Sequence, residues 1–79
     1  MVNHQLTSDN LDLTVNSFEN EDVIIYLYDL QGRLIIESNH QLTQGNNKIN
    51  LNHINIQSGI YLINIVGEVH HYQTKLIRK

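Results

Sequence analysis

The segment Val23-Ile24-Ile25-Tyr26-Leu27-Tyr28-Asp29-Leu30-Gln31-Gly32-Arg33-Leu34-Ile35-Ile36 is the clearest indication of secondary structure in this chain. Residues 23–28 are apolar on both faces, which is typical of a central strand in a sheet. Asp29 and Gly32 then predict a tight turn, because aspartate hydrogen-bonds to its own backbone and glycine adopts positive φ without strain. The apolar residues 34–36 return as the second arm of a β-hairpin.

Shorter apolar segments, each bounded by polar turn residues, follow the same scheme on both sides of this hairpin. Apolar and polar residues alternate over 11–16 and 48–52, which predicts half-buried strands. Residues 60–66 predict a second central strand, and residues 69–77 predict a last strand at or near a sheet edge. The chain contains no alanine and no proline and is rich in isoleucine, a composition that favours strands over helices.

We therefore predict an all-β fold, an antiparallel two-sheet β-sandwich of the immunoglobulin-like kind with about six to seven strands. Residues 5–8 would supply the seventh strand. Gly67-Glu68 would form a two-residue hairpin turn with glycine first, the type II′ preference. The predicted core consists of apolar residues on the inner faces: Leu11, Leu13, Val15, Val23, Ile25, Leu27, Leu34, Ile36, Ile49, Leu51, Tyr61, Ile63 and Ile65.

The length of 79 residues predicts a single domain spanning residues 1–79, and we expect residues 1–5 to be flexible or introduced by cloning. A domain of this size buries only about 60% of its unfolded surface, which leaves one thin core and no deep active-site cleft. No apolar run approaches the ~20 residues of a membrane helix. Residues 1–5 lack the basic start and apolar stretch of a signal peptide, so a secretory leader would have to come from an upstream segment.

Charge is distributed unevenly along the chain. Residues 1–74 carry two basic and eight acidic side chains, whereas the last five residues add Lys75, Arg78 and Lys79 and bring the formal net charge to −3. An acidic balance argues against nucleic acid as a partner. A short basic end is most often a solvated tail.

Residue types that carry chemistry are present but not grouped. There is no cysteine, and the adjacent His70 and His71 point to opposite faces of a strand, so they cannot chelate one metal ion. The serines lack a nucleophile-elbow motif, and no glycine-rich phosphate loop is present. We predict no catalytic, cofactor-binding or metal-binding residue, and we interpret the histidines as scattered surface residues: His4, His40, His53, His70 and His71.

Three segments, taken in order, resemble the type A C-terminal sorting domain of the type IX secretion system of Bacteroidetes. They are residues 23–35, with the family's Tyr-Asp-x-x-Gly-Arg turn; residues 45–51, similar to its Gly-x-Asn-x-Ile-x-Leu strand; and residues 58–65, similar to its Gly-x-Tyr strand. The basic ending also fits, and the resemblance covers roughly residues 6–79. The chain departs from the family in lacking an Asn-Pro before the first strand and in having a longer link before Gly59.

The resemblance implies a secretion signal rather than a catalyst. Members of the family are C-terminal parts of larger cargo proteins that an N-terminal signal peptide carries into the periplasm. The outer-membrane translocon and its shuttle protein then recognise the folded domain, and a surface sortase usually removes it. By this resemblance the chain acts in the periplasm, in transit to the cell surface or the extracellular space.

The last strand is the first candidate for partner contact, because an added strand binds an exposed edge through main-chain hydrogen bonds. We expect this contact to involve the end of the chain, with cationic side chains supplying charge complementarity: Lys75, Leu76, Ile77, Arg78 and Lys79. The same edge would allow a homodimer. We interpret the motif residues as structural: Asp29, Gly32, Arg33, Gly59 and Tyr61.

Two other functions remain open from the residues alone. Ile24, Tyr26 and Tyr28 share one face of their strand, and an exposed strip of this kind can bind sugar or protein. The chain would then be an accessory β-sandwich module that binds carbohydrate or protein for a secreted enzyme. The strip could instead be covered by the second sheet or by a dimer partner. A structural spacer or assembly domain is the third hypothesis.

Overall fold

A computed structural model describes residues 2–7, 9–52, 54 and 56–79, and these form seven β-strands and no helix that could cross a membrane. In chain order the strands are β1 (Val2–Thr7), β2 (Asn10–Ser17), β3 (Glu21–Asp29), β4 (Leu34–Leu42), β5 (Gly45–Leu51), β6 (Gly59–Gly67) and β7 (His71–Arg78). The small sheet has the order β1-β2-β5 and the large sheet β4-β3-β6-β7. Every pairing is antiparallel. The predicted all-β, two-sheet sandwich is confirmed.

The connections between strands lie at two opposite ends of the sandwich, which we name by one residue each. The Asp29 end holds the β3–β4 turn, the β5–β6 link and the end of β7. The Glu21 end holds the loops that follow β2, β4 and β6. The long axis of the molecule measures 34 Å.

The central strands β3 and β6 are held together by apolar pairs that face the small sheet. Ile25 pairs with Ile65 and Leu27 with Ile63, and all four side chains are fully buried. Burying a side chain of this size contributes about 1.5–3 kcal/mol. These pairs explain why the stretches that are apolar on both faces became neighbours at the centre of the large sheet.

Four core residues were not predicted from the sequence. Leu42 and Leu76 come from the ends of β4 and β7, and Ile54 and Ile56 come from the β5–β6 link; all four are buried. The described residues of the link, 52, 54 and 56–58, have no strand geometry, so no alternation marks Ile54 and Ile56 as inward residues. Its backbone is tied to the β1–β2 turn by a hydrogen bond from the Ile54 N–H to the Asp9 carbonyl, 2.9 Å long.

The prediction that Leu34 lies in the core is wrong, since its side chain is 49% exposed. A β-bulge is the reason. Leu27 pairs with Ile36, but the next pair is Tyr28 with Leu34, so Ile35 is an extra residue in β4. The extra residue moves Leu34 to the outer face beside Tyr28. Ile36 stays opposite Leu27 and packs, half-buried, against the core.

The N-terminal segment forms β1, an edge strand of the small sheet. Residues 2–5, which we expected to be flexible or introduced by cloning, pair with β2. Val2 and Leu6 pack, half-buried, against the core. The seventh strand expected at residues 5–8 is therefore present but begins earlier, and Ser8 lies outside the described residues.

The two glycine turns that the sequence predicted differ in outcome. Gly32 has a φ of +85°, so the β3–β4 turn uses the positive φ expected of it. Gly67 does not have positive φ, and the predicted type II′ geometry is wrong. Instead, residues 68–70 connect the strands, and the Gly67 N–H donates to the His70 carbonyl at 2.9 Å.

Candidate functional site at the Asp29 end

The β3–β4 turn is built around the side chain of Asp29. Its Oδ1 accepts hydrogen bonds from the N–H of Gln31 at 3.0 Å and of Arg33 at 2.9 Å. The backbone closes the turn as well, because the Asp29 N–H donates to the Arg33 carbonyl at 3.0 Å and the Gly32 N–H to the Asp29 carbonyl at 3.1 Å. These bonds hold the hairpin tip in one conformation.

The charge of Asp29 is stabilised within this turn. The backbone N–H of Arg33, followed by the guanidinium of the same residue, holds the pKa of the Asp29 carboxyl below its usual range. The Arg33 Nε lies 2.6 Å from Asp29 Oδ2, and the rest of this side chain is exposed to solvent. The contact with Asp29 therefore fixes the Nε atom of Arg33 in place, while the remainder of this side chain faces solvent.

Gly59 and Tyr61 lie at the start of β6, next to this turn. Tyr61 pairs with Leu76 and is buried, and its hydroxyl donates to the Gln57 carbonyl at 2.7 Å. A β-carbon at Gly59 would make ordinary contact with the Tyr61 ring, 3.8 Å away. The Tyr61 side chain thus fastens the end of the β5–β6 link to the large sheet.

The five residues that we expected to contact a partner alternate between two faces of β7 and its end. Leu76 is 1% exposed and belongs to the core, whereas Ile77 is 53% exposed. Lys75 and Lys79 are exposed, and Arg78 is half-buried. Leu76 is therefore closed to a partner, and any contact would use the other four residues.

β7 is an edge strand, as the sequence predicted. Among the described residues it pairs with β6 alone, in a register that runs without interruption from Gly59–Arg78 to Val66–His71. The β1 strand of the small sheet lies near it. At the opposite edge of the large sheet, β4 contains the bulge between Leu34 and Ile36.

The chain matches one protein family across residues 7–79, and the description of that family is secretion system C-terminal sorting domain. The chain belongs to this family, the C-terminal sorting signals of type IX secretion. Comparisons with curated proteins and with solved structures found no match. A sorting domain is the signal part of a larger cargo protein, handled by the secretion machinery and delivered to the cell surface or the extracellular space. The match supports this function over an accessory binding module, and the family is one of signals rather than catalysts.

The Gly-x-Asn segment of the sorting domain organises the β4–β5 connection. Asn47 Oδ1 accepts from the Thr43 N–H at 2.8 Å and from the Thr43 hydroxyl at 3.2 Å. Its Nδ2 donates to the carbonyls of Thr43 at 2.8 Å, Gly45 at 3.1 Å and Val15 at 3.2 Å. One amide side chain thus ties the connection to β2.

The outer face of the large sheet in the sorting domain is not covered by the small sheet. Ile24, Tyr26 and Tyr28 lie on it, each half-buried. The rings of Tyr26 and Tyr28 stack on each other, with centroids 5.9 Å apart and an interplanar angle of 26°. Asn64, which pairs with Tyr26, has a buried Oδ1 that accepts no hydrogen bond from any described residue.

The histidines are dispersed over the sorting domain. His40 Nε2 lies 2.9 Å from the Ser38 hydroxyl, and His70 Nδ1 lies 3.1 Å from Glu21 Oε2. The described histidines in β1 and at the start of β7 are exposed, and His53 is not among the described residues. Over residues 2–7, 9–52, 54 and 56–79, no three His, Asp or Glu side chains form a group that could hold a metal ion.

Glu21 is a buried acidic residue that the sequence analysis did not single out. Its Oε1 accepts hydrogen bonds from the N–H groups of Val69 at 2.8 Å and His70 at 3.1 Å. These backbone donors, Val69 first, hold the pKa of the Glu21 carboxyl below its usual range. The period-2 alternation that points Val23 and Ile25 inward also points Glu21 inward. This alternation could have predicted the burial of Glu21 from the sequence.

Proposed function

We propose that the secretion machinery holds this sorting domain by pairing one of its own strands with the free edge of β7. The shuttle protein and the outer-membrane translocon are the partners, met as the cargo passes from the periplasm to the outside. A surface sortase then removes the domain. Lys75, Ile77, Arg78 and Lys79 supply side-chain contacts beside the added strand.

The regular edge of β7 is the observation that carries this proposal. Strand addition needs a row of evenly spaced main-chain donors and acceptors, and it needs no particular side chain. The pairing of β7 with β6 has no bulge, whereas the β4 edge is broken by the bulge at Ile35. A bulge re-aims the backbone and ends regular pairing, so β7 is the better template of the two edges.

A test of this edge must leave the core intact. Deleting residues 74–79 would remove the buried Leu76 along with the edge, and loss of export would then have two causes. Single prolines avoid this problem, because proline removes one main-chain donor and is tolerated on the outward side of an edge strand. Neighbouring residues of a strand point their N–H groups to opposite sides.

The experiment therefore uses Gln73→Pro and Thr74→Pro in a secreted reporter that carries the whole domain, fused upstream of Val2 so that β1 is kept. The reporter, with its own signal peptide, is expressed in a type IX-competent bacterium, and surface and periplasmic fractions are compared. One of the two prolines faces away from β6 and keeps a melting temperature near that of the unchanged domain. We expect that variant to remain in the periplasm.

Two results would contradict the proposal at different levels. Periplasmic retention of the unchanged reporter would contradict the sorting function itself. Normal export of the stable proline variant would show that the β7 edge is not the contact, and the sorting function would still stand. A homodimer through the same edge would appear as a concentration-dependent dimer of the purified domain that the stable proline variant does not form.

A further inference from the structure

Opposite charges are collected at the two ends of the large sheet. Lysines and arginines distant in sequence meet at the Asp29 end, near the turn and at the end of β7: Arg33, Lys75, Arg78 and Lys79. Acidic residues collect at the Glu21 end, where none of the five lysines and arginines lies: Glu19, Glu21, Asp22 and Glu68. Asp29 offsets one of these cations through its ion pair with Arg33, and the other three leave a cationic end beneath the net charge of −3.

Exposed aliphatic residues accumulate at the same cationic end. Leu30, at the tip of the β3–β4 turn, is 61% exposed. Across the outer face, Leu34 pairs with Tyr28, which pairs with Leu62 on the other side. Leu62 in turn pairs with Lys75, so this cross-strand row is apolar from Leu34 to Leu62 and ends on a cation at the β7 edge.

A second row lies nearer the end of the sheet. Ile60 pairs with Ile77, and both side chains are exposed. We call the whole set the basic–aliphatic patch: Leu30, Leu34, Ile60 and Ile77, with Arg33, Lys75 and Lys79 around them. Exposed apolar groups that are contiguous and rimmed by polar ones mark interaction sites on soluble proteins.

The patch is fixed in shape and contains a groove. The groove runs between the β3–β4 turn and the β5–β6 link, with Leu30, Arg33 and Leu34 on one side and Gln57 and Ile60 on the other. The hydrogen bonds of the Asp29 carboxylate lock one wall, and the bond from the Tyr61 hydroxyl to the Gln57 carbonyl fastens the other. A preorganised surface loses little conformational entropy when it binds.

We propose that the basic–aliphatic patch is the docking surface for a protein partner that presents carboxylates around a protruding apolar side chain. This inference rests on the proposed sorting function and names the chemistry of the partner. The cationic rim matches an acidic partner and would repel a basic one. The apolar side chain of the partner enters the groove, and the added strand lies along β7 beside it.

A protein partner fits this surface better than a membrane or a second copy. Binding at a membrane surface needs apolar side chains that reach about 5–10 Å into the headgroup region, whereas three of the four aliphatic residues of the patch, Leu34, Ile60 and Ile77, belong to strands of the sheet and not to a protruding loop. The acidic Glu21 end of a second copy would match the charge. Such a head-to-tail contact is heterologous and would build rings or filaments, which do not suit a signal carried by a single cargo chain.

The test uses residues of the patch that lie outside β7, so that strand addition stays intact. Leu30→Asp and Leu34→Asp are introduced separately into the exported reporter. Phe18→Asp and Val69→Asp are the matched controls, because these two side chains are 78% and 68% exposed at the opposite end. We expect each patch variant to lower the exported fraction about tenfold or more, as for a central contact residue, and the controls to match the unchanged domain.

Two charge-reversal variants test the same proposal. Lys79→Glu reverses a cation of the patch, and Lys48→Glu reverses an exposed cation on the small sheet. We expect Lys79→Glu to reduce export and Lys48→Glu to leave it unchanged. Thermal melting of every purified variant establishes that the fold is retained.

Distinct outcomes separate this inference from the proposed function. Periplasmic retention of the unchanged reporter would contradict both the sorting function and the docking surface. Export of the unchanged reporter together with normal export of Leu30→Asp and Leu34→Asp would overturn the patch alone. The purified domain is also tested for co-sedimentation with phosphatidylglycerol vesicles and for self-association. Either behaviour, if Leu30→Asp abolished it, would contradict the choice of a separate protein partner over a membrane or a second copy. Absence of both would support that choice.

Discussion

The carboxyl group of Glu21 occupies the space that a β-carbon on Gly67 would fill. By passing so close to the backbone of β6, this side chain reaches the N–H groups of Val69 and His70 and holds the β6–β7 connection. Gly67 is therefore needed for its missing side chain, and not for positive φ. A residue at the start of β3 and a glycine 46 positions later form one structural unit.

Gly67→Ala should displace the Glu21 side chain and break its bonds to the loop. Forcing an extra methyl group into a filled space costs about 1–3 kcal/mol. In a double-mutant cycle with Glu21→Gln, the two losses should be clearly less than additive, because both changes remove the same contact. Denaturant unfolding of the two single variants and the double variant measures this. Fully additive losses would mean that Gly67 and Glu21 act separately.

Acid should destabilise the domain through Glu21 and Asp29. Their pKa values are lowered from 4.5 and 3.8 in the folded state, because backbone N–H groups stabilise the charged forms. The unfolded chain then binds more protons below these values, so the free energy of unfolding is steady above about pH 5 and falls as the pH drops further. Urea unfolding at several pH values below and above this point measures the profile.

Glu21→Gln should flatten the acid part of this profile and lower stability at neutral pH. Asp22→Asn is the control, since Asp22 is the next residue of β3 and is exposed. An unchanged acid profile for Glu21→Gln would show that the carboxylate does not contribute to the pH dependence.

Leu76 and Ile77 are sequence neighbours with opposite roles in β7. Leu76→Ala should cost about 2–5 kcal/mol, because a fully buried leucine leaves a cavity. Ile77→Ala should stay within about 0.5 kcal/mol of the unchanged domain, because this side chain is on the surface. Chemical denaturation distinguishes the two. Equal losses would mean that the end of β7 does not alternate between core and solvent.

Asn47 should be far more sensitive to substitution than the adjacent Asn46. Asn47→Ala removes five hydrogen bonds and leaves backbone groups of the connection without partners, a loss of about 1–3 kcal/mol. Asn46 is exposed, and Asn46→Ala should have little effect. Melting temperatures of the two variants provide the comparison, and similar values would exclude the role assigned to Asn47.

Most of the fold was predictable because the inward residues of β2, β3 and β6 recur at every second position. Leu11, Leu13 and Val15 are buried as expected, and so are the inward residues of β3 and β6. Leu34 was misplaced because a bulge shifts the face of a strand without any change in composition. Ile54 and Ile56 were missed because they lie outside regular strands, where periodicity carries no information.

The candidate site was predictable only in part. The edge position of β7 followed from its being the last strand of the chain, and Asp29 and Gly32 followed from turn chemistry. Leu76 was wrongly expected to contact a partner. Polar residues occupy part of the inner side of β7, so the sequence shows no clear alternation from which its burial could be predicted. Leu30 and Ile60 were not noticed, since each looks like an ordinary apolar residue until the fold brings them together.

The amino-acid sequence was enough to predict the two-layer β fold, the turn at Asp29 and the membership in the sorting-domain family. Each of these depends on local features, namely a period of two, turn residues at fixed offsets and short motifs in order. The exposed residues that share a surface became apparent only from the folded arrangement of the strands. Arg33 and Lys79 are 46 residues apart in the chain, and they lie at the same end because antiparallel pairing folds successive strands back on one another. Register and pairing are long-range properties, and no local pattern encodes them completely.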